Sequence, residues 1–191
     1  MEFAETLFPV LTQYQNEDHI EVEIRLGKHN GNIFDTNVGK DTWERVLSAL
    51  KKYKDWECVS KSESDVFYND ANNIRISMDS DTGEQAMIQK ISVVKKDFQA
   101  EPLDIRFCIS REIPTSGDYD MDRKRNKIRH SFVRKNLSID MTMSSGDNID
   151  MDSEEEYVYQ IELEIKDPRD VKTLVEFKNI MHKITNLFET M

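Results

Sequence analysis

Through most of its length this chain alternates apolar and ionic residues with a period of two, a pattern that a β-strand sorts onto opposite faces. In EVEIRLG (21–27), Val22, Ile24 and Leu26 oppose Glu21, Glu23 and Arg25. In QIELEIKD (160–167), Ile161, Leu163 and Ile165 oppose Gln160, Glu162, Glu164 and Lys166. Ile74, Ile76 and Met78 oppose Arg75 and Ser77, while Ile105, Phe107 and Ile109 oppose Asp104, Arg106, Ser110 and Glu112. Leu137, Ile139, Met141 and Met143 oppose Ser138, Asp140 and Thr142. The stretch around residue 127 is less regular: Lys127, Arg129 and Ser131 share a face, and His130 lies opposite with Ile128 and Phe132. Strands are expected over 19–26, 56–62, 65–69, 73–79, 86–96, 104–113, 125–134, 137–143 and 157–166.

Three segments change to helical spacing. Phe3, Leu7, Phe8, Leu11 and Tyr14 form a stripe that Pro9 is expected to kink or split. Asp41 and Glu44 have the spacing of a capping box ahead of Trp43, Val46, Leu47, Leu50 and Tyr53. After Pro168, with Asp170 as the expected N-cap, Val171, Leu174, Phe177, Met181, Ile184 and Phe188 line one side. The acidic, glycine-containing stretches TSGDYDMD (115–122) and SSGDNIDMDSEEE (144–156) read as loops, the second as a mobile one.

An open sheet with its charged face in water would explain the alternation alone. Two features favour closure. The charged faces carry both signs and are rich in arginine and glutamate, and three amphipathic helices need apolar strand surface to cover. An α+β fold answers both demands: a closed antiparallel β-barrel, apolar side outward beneath the helices, with the polar sides converging on a lumen. Charges buried there are costly unless they are paired or meet an ion and a substrate. At 191 residues the chain fits one domain over 1–191, with a helix over 2–14, barrel strands within 19–166 and a C-terminal helix over 170–189.

Composition narrows the chemistry. Charged residues make up 33% of the chain, above the usual quarter, and the formal net charge is −11. That balance argues against salt-sensitive tracking along a nucleic-acid backbone but permits a local basic pocket. Cys58 and Cys108 lack metal-ligand spacing and read as reduced thiols, and the four histidines form no zinc motif. No apolar run approaches membrane-spanning length, and MEFAETLFPVL lacks the basic start of a signal peptide, so a soluble intracellular protein without a membrane partner is expected.

Glu21 and Glu23 sit about 7 Å apart on one strand face, close enough to share a hard cation. Glu162 and Glu164 make a second such pair. Magnesium or manganese takes oxygen ligands of this kind while keeping positions for phosphate. Arg25, Arg75, Lys90, Arg106, Lys127, Arg129 and Lys166 supply the guanidinium and ammonium groups that would face a polyphosphate. Phosphoryl transfer asks mainly for positioning, charge neutralisation and one group to orient the attacking water, a task for which Glu112 is placed.

EVEIRLG and IELEIKD resemble the two glutamate motifs of the triphosphate tunnel metalloenzymes, and within them the RNA 5′-triphosphatases of fungi and large DNA viruses, in length the minimal single-domain viral form. The resemblance spans roughly residues 19 to 166 and implies an eight-stranded antiparallel tunnel. It implies Mg2+ or Mn2+ as cofactor and conversion of a triphosphate RNA end to a diphosphate end, the first step of mRNA capping. It implies Glu21, Glu23 and Glu164 as metal ligands, with Glu162 also in the lumen. Arg75 in NIRIS and Lys90 in IQKIS resemble basic residues of the middle strands. Glu112 resembles the glutamate assigned to the attacking water, and Lys127 with Arg129 the pair holding the γ-phosphate. SIDMT (138–142) resembles a RIDLT strand and gives Asp140 and Thr142. Ser138 departs from it where arginine is usual, leaving Arg106 or Arg134 to compensate. Nucleoside triphosphates are implied as side substrates and an mRNA guanylyltransferase as a partner. The compartment implied is the host cytoplasm or nucleus, or the virion for a viral protein.

Blander roles also stand. Arg25 can serve to pair the glutamates, Asp104 reads as structural, Cys108 as a luminal filler, and Tyr157 and Tyr159 as packing groups. Two other functions fit the same residues. One is a small-molecule triphosphatase acting on inorganic triphosphate, thiamine triphosphate or nucleotides, which Arg25 in place of the usual lysine disfavours. The other is a non-catalytic acidic interaction domain, whose glutamate faces would be solvated.

Overall fold

The computed structural model describes residues 3–147 and 156–191. In chain order the elements are α1 (Phe3–Tyr14), β1 (Ile20–Asn30), β2 (Ile33–Asp35), α2 (Lys40–Lys52), β3 (Cys58–Asn69), β4 (Ile74–Asp79) and β5 (Gln85–Phe98). There follow β6 (Asp104–Pro114), β7 (Arg123–Arg134), β8 (Leu137–Gly146), β9 (Tyr157–Ile165), a 3-10 turn (Pro168–Asp170) and α3 (Leu174–Phe188). The strands are antiparallel in the order β1-β6-β5-β4-β3-β7-β8-β9, and β9 pairs back onto β1. The sheet therefore closes into an eight-stranded barrel, which leaves no edge among those strands.

Closure orients every strand at once. Val22, Ile24, Leu26, Ile105, Phe107, Ile109, Ile139, Met141, Ile161, Leu163 and Ile165 face outward and are buried. They share one apolar core with Leu7 and Leu11 of α1, Val46, Leu47 and Leu50 of α2, and Phe177, Met181 and Ile184 of α3. Phe177 links the layers, with ring centroids 6.3 Å from Phe107 beneath it and 6.0 Å from Phe8 beside it. On the wall formed by β3 and β5 the outer residues Val59 and Ile91 remain exposed.

Local details differ from the sequence reading. The expected strands 56–62 and 65–69 are one strand, β3, because its register with β7 runs unbroken from Cys58 to Tyr68 through the polar Ser62-Glu63-Ser64. A short strand, β2, was not expected; it folds back on β1 through a turn at Gly31, whose φ of 59° suits glycine. β8 runs to Gly146, into the stretch expected to be a loop. The remainder of that loop, 148–155, lies outside the described residues, as does residue 2 of the expected first helix. Residues 115–122 carry no regular structure, as expected.

Pro9 neither splits nor ends α1. It is exposed, so the backbone bond it cannot make lies on the solvent side, while Leu7 and Leu11 stay fully buried. The Asp41–Glu44 capping box does not form: α2 begins after Gly39 without a side-chain cap, and Asp41 lies within its first turn. Tyr53 follows the helix and meets Trp56 edge to face instead of extending the stripe. Asp170 belongs to the 3-10 turn, and α3 is capped by Thr173. Its hydroxyl accepts from the Glu176 amide at 3.2 Å, and the Glu176 carboxylate accepts from the Thr173 amide at 2.9 Å, because Thr-x-x-Glu at 173–176 has the reciprocal spacing.

This packing predicts unequal costs on the two faces of α3. Phe177→Ala should lose about 3–5 kcal/mol, as for a fully buried aromatic ring, whereas Val175→Ala, on the exposed side, should stay within about 0.5 kcal/mol of the native protein. Urea unfolding checks both, and equal costs would contradict the placement of the helix.

Candidate active site

Cross-strand register places the ionic residues on the inner face of the ring. Going round the barrel, Glu23 of β1 is flanked by Glu164 of β9 and Cys108 of β6. Arg25 is flanked by Glu162 and Arg106, and Glu21 by Ser110. On β5 Lys90 faces Glu112, and on β4 Arg75 faces Ile88 and Tyr68. β7 brings Lys127 opposite Ser64 and Ser144, and Arg129 opposite Ser62 and Thr142. Asp140 of β8 stands beside Glu162. The expected site residues carried by the strands thus lie in the inward phase, with Lys166 just past the end of β9, and Glu23 retains only 6% of its exposure, Asp140 4% and Thr142 1%. Such burial excludes the solvated glutamate face that an acidic interaction domain would present.

Carboxylates and cations meet on the side of this lumen formed by β9, β1 and β6. The Lys90 ammonium bonds Glu21, reaches Glu112 at 2.9 Å and lies 3.7 Å from Glu23. Ser110 donates to Glu21 at 2.9 Å. Arg25 pairs with Glu23 at 2.7 Å and with Glu162 at 3.2 Å, the neutralising role that the sequence allowed. Arg129 lies 3.6 Å from Asp140 and 3.9 Å from Glu162 and donates to Thr142 at 3.3 Å. Asp140 also accepts from Ser138 at 2.7 Å.

The charges respond to this crowding. Burial, reinforced by Glu162 and Glu21, pushes the Glu23 carboxyl up to about 7 against the pull of Arg25 and Lys90. Burial also raises Glu164, more than Lys166 lowers it. For Glu21 and Glu162 burial is outweighed, by Lys90 in the first and by Arg25 and Arg129 in the second, and both sit below the usual carboxylate value. Burial lifts the Cys108 thiol to about 11, which makes it an inert filler.

Across the lumen, on the wall of β4, β3 and β7, the balance is positive. The Tyr68 ring has Arg123 at 3.9 Å, Arg75 at 5.6 Å and Lys127 at 5.8 Å from its centre. Burial depresses Lys127 below the usual lysine value, the Tyr68 hydroxyl only partly offsetting it. Arg75, Lys127 and the neighbouring Arg125 make no ion pair with a carboxylate of the described residues. A partly buried cation with no carboxylate among the described residues is costly, so this wall is built to receive an anion.

Some expected residues are less engaged. Arg106 is held by both oxygens of Asp97 at 2.7 Å and lies over Phe34, so it does not replace the arginine missing at Ser138. Arg134 points outward over Tyr53 and does not replace it either. Lys166, at the half-exposed rim, reaches Glu164 at 3.1 Å, and Glu164 is the cross-strand neighbour of Ser138, so this lysine brings positive charge toward that position. Asp104 accepts from the backbone of His29 and Ala100, the structural part expected of it. Tyr159 packs on Trp43. The sequence reading missed Tyr68, Arg123 and Arg125; extending the Lys127–Arg129 phase back by two and four residues would have found the two arginines.

A hard divalent ion would find all-oxygen donors in Glu21, Glu23 and Glu164, with Glu162 alongside. Among the described residues no three such groups already converge on one point. The Lys90 ammonium bridges Glu21, Glu23 and Glu112, which shows that these carboxylates hold a cation between them and that Lys90 must shift to admit another. In chemistry and charge the donors fit.

The likeness of this barrel to solved structures is extensive. It superposes on the Schizosaccharomyces pombe Pct1 RNA triphosphatase with a TM-score of 0.86 and 16% identity, over 100% of this chain and 94% of that one. The same protein in complex with the Spt5 CTD gives 0.86 and 17%, again over 100% and 94%. The Mimivirus capping enzyme triphosphatase gives 0.68 and 15%, over 98% and 97%. No curated protein matches the chain in sequence. A family model described as "mRNA capping enzyme, beta chain" matches residues 34–191. The match leaves out the strand bearing Glu21 and Glu23, whose cross-strand pairing with β9 brings them to the matched Glu164. Sharing that family's sequence pattern over most of its length, and folded as a closed tunnel, the chain belongs to the mRNA capping enzyme beta-chain family.

Proposed function

We propose that this protein hydrolyses the γ-phosphate of triphosphate-ended RNA, leaving a diphosphate end, in the first step of mRNA capping. The observation that carries this reading is one enclosed lumen with carboxylates on the wall of β9, β1 and β6 and, facing them on β4 and β7, the cations Arg75 and Lys127, which have no carboxylate partner among the described residues, in a chain of the capping family. Lys127, Arg129 and Arg75 bind the terminal phosphate, forked guanidinium groups matching its oxygens. As negative charge shifts toward the leaving diphosphate, these fixed cations are already in place to stabilise it. Glu112, bonded to Lys90 and partly open to solvent, orients the attacking water. Asp140 and Thr142 hold Arg129 in position, and Arg25 keeps Glu23 and Glu162 from repelling each other. Lys90 neutralises the carboxylates before substrate arrives and afterwards faces phosphate. Arg106 and Lys166 contribute positive charge at the two openings.

Glu21, Glu23 and Glu164, with Glu162 beside them, would hold Mg2+ or Mn2+. A bound ion of that kind neutralises phosphate oxygens and orients the substrate. Free nucleoside triphosphates, which carry the same three phosphates, are side substrates. A guanylyltransferase is the partner that would use the diphosphate end.

Three outcomes are expected. In a γ-phosphate release assay with divalent cation, triphosphate-ended RNA should be used with higher kcat/KM than inorganic tripolyphosphate; parity would favour a small-molecule triphosphatase. Glu21→Ala and Glu164→Ala should each lower the rate at least about 100-fold, as expected for loss of a metal ligand, while unfolding stays cooperative. Manganese or magnesium should raise the melting temperature by ligand linkage, and more at pH 8 than at pH 6. The sign follows from Glu23: its carboxyl keeps a proton up to about pH 7 in the folded chain, and an ion must displace that proton below this pH. The same raised value means that metal-free stability falls as pH climbs from the ordinary carboxylate range to about 7. A melting temperature indifferent to both ions would count against the site.

A further inference from the structure

One strand carries a row of cations through the tunnel. Arg123, Arg125, Lys127 and Arg129 occupy alternate positions of β7 and all face inward, opposite Tyr68, Val66, Ser64 and Ser62 of β3. The two ends of the row are paired, Arg129 with Asp140 and Glu162, Arg123 with both oxygens of Asp70 at 2.8 and 2.9 Å. Lys127 and Arg125, between them, have no carboxylate among the described residues within ion-pair distance.

Arg125 is the more exceptional of the two. Its side chain is half-buried, its Nε is buried without a hydrogen-bond partner, and its Nη2 reaches only the Ser144 carbonyl, at 3.4 Å. Its cross-strand neighbour on β8 is Gly146, with φ +107°. A Cβ there would come within 2.7 Å of the Lys124 carbonyl and 3.2 Å of the Arg125 Cα, so β8 places no side chain over this part of the lumen. Burial, with Arg123 adding repulsion, disfavours the Arg125 charge. A guanidinium without a counter-ion among the described residues costs stability that a structural role would not explain.

Position identifies the anion. A strand advances about 7 Å per pair of residues, so Arg125 lies about 7 Å beyond Lys127 and about 14 Å beyond Arg129, toward Arg123. With Arg129, Lys127 and Arg75 engaged by the triphosphate, a further guanidinium on the same line meets the next negative charge of the substrate. We propose that Arg125 is the subsite for the first phosphodiester of the RNA chain, so that this residue distinguishes a polynucleotide from a free triphosphate. The inference rests on the reading of the site as an RNA 5′-triphosphatase.

The test is steady-state hydrolysis of a triphosphate-ended oligoribonucleotide, ATP and inorganic tripolyphosphate by the native chain, Arg125→Gln and Arg125→Lys. Arg125→Gln should raise KM for the oligonucleotide about tenfold, the loss expected for one charge-assisted phosphate contact, with kcat unchanged. Its ATP and tripolyphosphate kinetics should stay within about twofold of native, within the range of a surface substitution. The salt dependence of log KM for the oligonucleotide should weaken by about one unit of slope. Arg125→Lys should recover part of the loss, and the Gln variant should melt no lower than the native protein, because an unpaired charge has been removed. An equal loss on all three substrates would mean that Arg125 reads the α-phosphate, and no loss on the oligonucleotide would mean that it reads nothing; either result overturns the proposal. A native chain that cleaves tripolyphosphate but not triphosphate RNA would instead refute the RNA reading, and the subsite with it.

Discussion

The pairing of β9 with β1 is the contact on which the rest of this molecule depends. Without it, Glu21 and Glu23 would line one edge of a sheet and Glu162 and Glu164 the other, each free to face water. With it, Glu23 and Glu164 become neighbours, and Arg25 lies between Glu23 and Glu162. Closing the ring concentrates charge in a space that water alone cannot screen, and the lumen answers with cross-strand pairing. Where that compensation is complete the barrel is stable as it stands; where it is incomplete among the described residues, at Lys127, Arg75 and Arg125, the protein is prepared for an anionic ligand.

Polarity across the tunnel follows from the same balance. On one side, four glutamates and Asp140 are offset by Lys90, Arg25 and Arg129. On the facing wall three cations gather on the Tyr68 ring, of which Arg123 is paired with Asp70 while Arg75 and Lys127 have no carboxylate partner among the described residues. A triphosphate needs both: cations for its oxygens, and carboxylates for an ion and a water. A formal charge of −11 over the whole chain coexists with this basic patch because the patch is enclosed and local. The helices contribute by covering the apolar outside of β1, β6, β8 and β9, which lets those strands turn their ionic sides inward.

Much of this was legible in the residues. Strict alternation in EVEIRLG, DIRFCISRE and QIELEIKD separated luminal from outward residues correctly, because a strand's period of two is a local property of the backbone. The apolar stripes of α1, α2 and α3 were legible for the equivalent reason. Turn and cap details were harder to read. Asp41–Glu44 and Thr173–Glu176 have the same spacing, yet only the second forms a box, since capping depends on where the preceding loop delivers the chain. Pro9 was tolerated because the missing bond faces solvent, a fact that depends on which side of α1 is buried.

From the sequence by itself came the chemistry of each face: which residues are ionic, which are apolar, and that the ionic set is one of carboxylates and guanidinium groups. These are matters of side-chain type and local periodicity. Tertiary structure decided which charges meet. Register around a closed ring assigned Asp97 to Arg106, Glu162 to Arg25 and Arg129, and no carboxylate of the described residues to Arg125. Such pairings join residues far apart in sequence, as Glu23 on β1 and its neighbour Glu164 on β9, 141 positions on, and depend on the stagger between strands. Local pattern does not encode that stagger; packing of the outer face and closure of the sheet set it.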